Sequence, residues 1–309
     1  MKVLFVGLGS ISTRHIKNLV SVCKERDIKL DIDLLRRKIG KLPSEFDNIC
    51  LNQIDTISNS FHYDIAFITN PTNLHYEILS KLKAVVDFYF IEKPLFESAD
   101  YFLDDLNITE NNAYIACPMR HTKVYETLKK LISDKNVYSS RILCSSYLPD
   151  WRPNQDYRKN YSAIKSLGGG VTLDLIHEID YMVDLFGFPA SVVNIHGKYS
   201  HLEIDSDDLS VYLASYNDKV VEVHLDYFGR KSRRFCEAFT TDGTYIADFI
   251  EMCVELPSGD KIDCSEEVNM RYIKEINYFM DFIDGKIKNI NSPEKAFKVL
   301  SVTLGNYKD

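Results

Sequence analysis

The chain has 309 residues, more than a single hydrophobic core usually serves, so two domains are expected. Its composition, 45% hydrophobic and 27% charged with a mean hydropathy of −0.20, is that of a globular protein. A net charge of −8 excludes a broad nucleic-acid-binding surface, which needs excess Lys and Arg, and no stretch approaches the roughly 20 apolar residues of a membrane span.

Seven cysteines (Cys23, Cys50, Cys117, Cys144, Cys236, Cys253, Cys264) are odd in number and scattered. They form no CxxC pair and no Cys/His group at zinc-ligand spacing, so they read as reduced thiols and no metal site is expected. The apolar run Val3–Leu8 is too short for a signal peptide, and a cytoplasmic location is expected.

Val3–Val6 reads as a strand that ends in Gly7-Leu8-Gly9, and a helix-period segment follows with Ile16, Leu19, Val20 and Cys23 on one face. Strands are then expected at Ile28–Leu35, Asp64–Thr69, Val85–Ile91 and Ala113–Cys117, with a helix from about His75 to Lys83. This alternation predicts βαβ units in a parallel sheet with right-handed crossovers. It ends near Pro118. Residues 1–118 are therefore expected to form a dinucleotide-binding Rossmann domain with a doubly wound parallel sheet.

Beyond it, Ser139–Tyr147, Ser191–Tyr199, Leu209–Tyr216, Val220–Tyr227, Arg234–Thr240 and Thr244–Phe249 follow one another with turns at Asn217-Asp218 and Asp242-Gly243. They predict an α+β domain over 119–309 with a large, mainly antiparallel open sheet, interrupted by one helix at Val171–Phe186. Its apolar positions Leu173, Ile176, Ile179, Val183 and Phe186 keep a helical period. Asn291-Ser292-Pro293-Glu294 starts a last helix, which could pack back on the first domain.

The strand–glycine turn–helix order carries chemistry. Gly7 makes the tight turn, Gly9 lets backbone approach a pyrophosphate, and the N–H groups of Ser10 and Ile11 open the helix on which it would sit. The third position of the pattern, usually Gly or Ala, is Ser12. Strand two ends in Arg36-Arg37, where NAD enzymes usually place an acid for the ribose 2′-hydroxyl. Arginines there suit a 2′-phosphate, so NAD(P) is expected as cofactor with a slight lean to NADP. Asp31 and Asp33 lie within the strand, and a shifted register would restore an acid.

Glu92-Lys93-Pro94 follows a strand and so lies at the carboxyl edge of the sheet. Asp174 and His177 are three apart on the interrupting helix and would share one face. A Lys, an Asp and a His could thus act on one small molecule. An imidazole suits removal of a hydroxyl proton as hydride leaves the carbinol carbon, and an ammonium stabilises the developing alkoxide.

With these residues the chain resembles the glucose–fructose oxidoreductase / inositol dehydrogenase (Gfo/Idh/MocA) family. The matching stretches are GLGSISTRH near the start, TNPTNLH at Thr69–His75, EKPL at Glu92–Leu95 and GGGVTLDLIHEIDY at Gly168–Tyr181. The resemblance implies that Lys93 positions cofactor and substrate, that Asp174 orients a sugar and that His177 is the general base. It also implies that Thr69, Asn70, Pro71, His75 and Glu92 line the cofactor and that the second sheet buries a face in a homodimer or homotetramer. Arg120 falls where such proteins approach the nicotinamide. The family often spaces the acid and histidine one residue further apart; here they read D-x-x-H.

The stretch Leu148–Tyr161 holds the only Trp. Trp151 and Tyr157 offer faces for a sugar or base, and Arg152 and Arg158 offer forks for phosphate or carboxylate. A sugar or nucleotide-activated sugar is therefore the expected substrate, in surface-sugar biosynthesis by resemblance. Two other readings stay open: a non-catalytic NAD(P)-binding sensor of the same fold, and a redox-neutral dehydratase or glycosidase using transient oxidation.

Overall fold

The computed structural model describes residues 1–58 and 60–307. In chain order the first strands and helices are β1 (Lys2–Val6), α1 (Ser10–Glu25), β2 (Asp31–Leu35), β3 (Leu51–Ile54), β4 (Tyr63–Ile68), α2 (His75–Leu82), β5 (Val86–Ile91) and β6 (Ala113–Ile115). Then come α3 (Lys123–Ile132), β7 (Val137–Tyr147), α4 (Val171–Asp174), α5 (Ile176–Phe186), β8 (Ser191–Gly197), β9 (Leu209–Ser215) and β10 (Val220–Asp226). The chain continues through β11 (Phe228–Thr240), β12 (Gly243–Asp248), β13 (Cys253–Glu255), β14 (Lys261–Asp263), α6 (Met270–Ile283) and α7 (Pro293–Thr303). It folds as two units, the first formed by Met1–Phe96, Asp100–Ala116 and Arg271–Phe297, the second by the remainder.

The first unit is built on a parallel sheet in the order β3-β2-β1-β4-β5-β6, the doubly wound order in which the crossover direction reverses between β1 and β4. The loops after these two strands therefore open side by side. Val3, Leu4, Phe5, Ile65, Phe67, Ile68 and Phe90 are fully buried, as expected where helices cover both faces. Phe67 stacks between Phe5 and Phe90 at 4.5 and 4.9 Å, and Phe279 of α6 meets Phe90 edge-on at 5.3 Å.

The helix expected after the glycine turn is α1, but Val22, not Val20, joins its buried face. Strand two is shorter than expected because it begins at Asp31, paired with Lys2. Strand β3 escapes the apolar pattern: it is a four-residue edge strand, LNQI, with no fully buried side chain. Only 3₁₀ turns lie between β2 and β3 and between β5 and β6, so strict βαβ alternation holds only for part of this sheet.

The second unit carries an eight-stranded sheet in the order β14-β13-β12-β11-β7-β10-β9-β8. Every pairing is antiparallel except β7 with β10, which run parallel. One face is covered: Ser210, Tyr212, Ala214, Val221 and Val223 are buried while Leu213, Val193, Ile195 and Val220 on the other side stand exposed. The short strands β13 and β14 lack an extended apolar run and were not expected. All seven cysteines are free thiols, five of them buried. Among the described residues no helix is long and apolar enough to cross a membrane.

The expected single helix Val171–Phe186 is two helices. Leu175 (φ −97°, ψ 28°) leaves helical geometry between α4 and α5. The cause is anchoring at both ends. Asp207 accepts the Thr172 amide at 2.9 Å and its hydroxyl at 2.6 Å, which fixes α4. The buried Glu178 of α5 accepts a two-bonded fork from Arg234 of β11 at 2.6 and 3.0 Å, which fixes α5 on the sheet.

Candidate active site

In the first unit the turn after β1 is held from below. Gly7 (φ +88°) takes a conformation that suits glycine, and its amide donates to Leu35 O at 3.0 Å. Ser12 is fully buried and donates its hydroxyl to Gly7 O at 2.9 Å. The departure from Gly or Ala at the third position is thus a small side chain that ties the turn instead of weakening it.

Gly9 precedes α1 with ordinary extended angles (φ −105°, ψ −173°), and no side chain caps the helix. A Cβ added at Gly9 would meet nothing within 4 Å. The backbone therefore does not demand glycine here. What the glycine preserves is open space over the uncapped amides of Ser10 and Ile11. We expect Gly9→Val to fold with unchanged melting temperature and to weaken cofactor binding by tenfold or more, a loss of about 1.4 kcal/mol, measured by fluorescence titration.

The neighbouring loop after β4 supplies Asn70, whose side-chain oxygen is buried without a hydrogen-bond partner. Such an atom costs stability unless something donates to it. An uncapped helix start, open space over Gly9 and an orphaned acceptor beside Gly7 fit a dinucleotide with a pyrophosphate and hydroxyl- or amide-bearing ends. Thr69 and His75, also expected to line the cofactor, make internal bonds. Thr69 Oγ1 donates to Val6 O at 2.8 Å. His75 is buried, with Nδ1 3.0 Å from Leu95 O and Nε2 3.0 Å from Asn70 O. Both brace the loop that presents Asn70, and Pro71 stands exposed beside it.

At the end of β2, Arg36 Nη1 donates to Gln53 Oε1 at 2.8 Å, and Arg37 is exposed. No register shift restores an acid. Asp33 is buried and accepts from Tyr63 OH and Asn52 Nδ2, each at 2.8 Å, while Asp31 sits at the opposite end of the strand near Lys2.

After β5, Glu92 lies buried against His15, with Nε2 2.6 Å from Oε1. Burial opposes its charge, but the His15 bond and charge, the Lys93 charge and the Lys93 amide more than offset this and hold the carboxyl below its usual range. Glu92 thus acts as a fixed anion beneath the chain at Lys93, whose own side chain is only partly buried. His15, which the sequence reading missed as part of this group, is visible in hindsight as a polar residue on the buried face of α1.

In the second unit, residues 168–170 form a turn that only glycines allow. Gly170 has φ +125°, and a Cβ there would lie 2.0 Å from Asp207 Oδ1. From Val171 to Val183, Asp174 and His177 are the two residues not buried. The helix break at Leu175 separates them, so they do not share a face of one continuous helix. Asp174 Oδ2 accepts from Tyr227 OH at 2.5 Å. Burial and the Asp174 charge push the Tyr227 hydroxyl well above its ordinary range, so it stays a donor. Trp151 stands edge-on to Tyr227 at 5.1 Å and donates to Ser146 Oγ at 2.9 Å, which brings the only tryptophan next to the acid's partner. Tyr227 had no motif to announce it.

The other expected contact residues have partners within the second unit. Arg120 is 4% exposed and lies in a cage of carboxylates: Nε and Nη2 reach Asp180 at 2.8 and 2.6 Å, and Nη1 reaches Asp184 at 2.8 Å. It is a structural cation. Arg158 is exposed but committed to Asp156 at 2.8 Å and Glu203 at 3.0 Å. Tyr157 OH accepts the Glu203 amide at 3.1 Å. Arg152 is exposed and reaches Asn160 Oδ1 at 3.3 Å.

Residues 1–107 match the GFO_IDH_MocA family model, described as an oxidoreductase family with an NAD-binding Rossmann fold. No curated protein matches the chain by sequence. Among solved structures, levoglucosan dehydrogenase in complex with NADH and levoglucosan superposes with a TM-score of 0.81 at 16% identity, over 99% of this chain and 95% of that one. UDP-N-acetylglucosamine 3-dehydrogenase from Acidithiobacillus ferrooxidans gives 0.76 at 15% identity, over 99% and 96%. GenD2 from gentamicin A biosynthesis, in complex with NAD, gives 0.77 at 17% identity, over 99% and 93%. At these identities the likeness is one of fold.

Proposed function

We propose, from the match of residues 1–107 to the Gfo/Idh/MocA oxidoreductase family model, that this chain is an NAD(P)-dependent dehydrogenase of a sugar or nucleotide-activated sugar. The observation that carries this reading is the pair Asp174 and His177, partly exposed in an otherwise buried segment, with Asp174 fixed by Tyr227. The solved structures of like fold include a free-sugar and a nucleotide-sugar dehydrogenase, which supports the substrate class.

Bound NAD(P) supplies the hydride acceptor in the oxidising direction. The chain's own residues handle the rest. His177 takes the hydroxyl proton as the C–H pair leaves, so that the carbinol becomes a carbonyl without a free alkoxide. Lys93 is the cation of the first unit carried over by the family resemblance, and the buried Glu92–His15 pair fixes the segment that presents it. Asp174, held by Tyr227, accepts from a neighbouring sugar hydroxyl and sets which carbon faces the base. Product analysis tests the reading: one carbonyl formed per NAD(P)H supports it, and product without net reduction of cofactor overturns it. The exposed apolar side of the second sheet, with Val193, Ile195 and Leu213, is where a second copy would sit in a homo-oligomer.

For the 2′ position we favour a phosphate. Asp33 is occupied inside the strand, and Arg36 is the polar group at its end. Arg36→Ala should raise KM for NADP⁺ about tenfold, the value of one charge-assisted contact, while leaving KM for NAD⁺ nearly unchanged. An equal effect on both cofactors would remove Arg36 from the 2′-phosphate and overturn the assignment.

A further inference from the structure

The second unit holds a group of cations that the chemistry above does not use. Within the four residues Arg230–Arg233, Arg230, Lys231 and Arg233 are all exposed. Arg120, Arg141, Arg158 and Arg234 of the same unit each have a carboxylate partner. Among the described residues Arg230, Lys231 and Arg233 have no such ion pair. In a chain of net charge −8, three adjacent cations without a counter-charge stand out.

The segment is built to project. The β11–β7 register breaks between Phe228 and Arg233, so the residues between leave the ladder. Asp226 forces the departure by accepting the Phe228 and Gly229 amides at 3.1 and 2.7 Å. Burial disfavours its charge, but bonds from His224, Ser145 and these amides more than offset this and keep it ionised. A Cβ at Gly229 would lie 1.9 Å from Ser145 Oγ, so the bulge closes tightly on β7. Arg230 then lies over the Tyr147 ring, 3.7 Å from its centroid, with His201 3.4 Å from its guanidinium. Stacking orders the guanidinium without neutralising it.

The patch adjoins, along the chain and through strand pairing, the residues proposed above to meet substrate. Tyr147 leads directly into the stretch that carries Trp151, and Phe228, paired with Tyr147, follows Tyr227, the donor to Asp174. We propose that Arg230, Lys231 and Arg233, with Tyr147 beneath Arg230, form the subsite for the diphosphate of a nucleotide-activated sugar; this rests on the dehydrogenase reading above. Guanidinium forks match phosphoryl oxygens, and a diphosphate spreads its charge over a span that three cations can share, where a single carboxylate leaves most of them uncompensated. With Arg158 neutralised by Asp156 and Glu203, this strand segment replaces it as the anion-binding element.

The test is calorimetric titration of the full chain, saturated with cofactor so that the glycine turn is filled, with uridine diphosphate and separately with inorganic pyrophosphate. The double variant Arg230→Ala, Arg233→Ala should weaken both by at least about tenfold and flatten the salt dependence, and Arg230→Lys, Arg233→Lys should fall between. All four changes are at exposed side chains, and unchanged thermal melting confirms the fold. Affinity that ignores the arginines, or arginine-dependent binding of glucuronate in preference to either diphosphate, overturns the subsite. Arginine-dependent diphosphate binding with no oxidation of any sugar would keep the subsite and sink the dehydrogenase reading instead.

Discussion

His177→Ala is expected to lower kcat by about 10²–10⁴-fold, the usual contribution of a positioned general base, while cofactor affinity stays close to that of the parent chain. The two effects separate because the dinucleotide elements, the Gly7–Gly9 turn, the start of α1 and Asn70, all belong to the first unit, whereas His177 belongs to the second. Folding should survive. His177 is partly exposed in the opening turn of α5, so its truncation leaves no large cavity, and α5 keeps its anchor through Glu178 and Arg234. The measurement is steady-state turnover alongside fluorescence titration of NAD(P)H. A turnover number equal to the parent's would remove His177 from the chemistry and, with it, the main support for a dehydrogenase.

Arg120→Ala is expected to act on stability instead. The guanidinium is 2% exposed and is shared by the carboxylates of Asp180 and Asp184, which are 9% and 11% exposed. Burial opposes its charge, but the Asp180 charge and bonds, with Cys117 and Asp184 adding to them, raise its pKa above the ordinary arginine range. Removing it leaves the buried Asp180 without this cation, while Asp184 keeps Lys129 and the Tyr125 hydroxyl, a loss of about 3–5 kcal/mol. At roughly 2–4 °C per kcal/mol for a domain of this size, the melting temperature should fall by roughly 6–20 °C. Arg120→Lys should recover little, because one ammonium cannot replace a fork that reaches both residues. Differential scanning calorimetry decides the matter. An unchanged midpoint with a raised KM for cofactor would return Arg120 to the nucleotide contacts, where the family resemblance had placed it.

That contrast shows what kinds of residue a sequence exposes. Gly7, Gly9 and Lys93 sit directly after strands, and strand ends in a parallel sheet are where ligands bind, so their positions were legible from local pattern. The run at Gly168–Tyr181 gave Asp174 and His177, yet it also suggested one helix where there are two. Helical periodicity continues across Leu175, and the break is imposed by Asp207 and Arg234, which lie 33 and 60 residues from Asp174 in the chain. Short elements such as β3, β13 and β14 went unread because half-exposed strands of three or four residues carry no apolar run.

The charged residues were the hardest to place. In sequence Arg120 and Arg158 stand near stretches that attract notice, while Arg230 and Arg233 stand near none. Whether such a side chain binds a ligand or braces the fold depends on which carboxylates long-range packing brings beside it. Asp180 and Asp184 lie about one turn apart on α5 and claim Arg120, Asp156 and Glu203 claim Arg158, and no acid claims Arg230 or Arg233. Local spacing and hydrophobic period, which act over a few residues, were enough to predict a parallel doubly wound sheet followed by a mainly antiparallel one, and to mark Lys93, Asp174 and His177 as candidates. Only the tertiary structure decided which cations pair with carboxylates and which do not, because Coulomb pairing acts through space and is indifferent to distance along the chain.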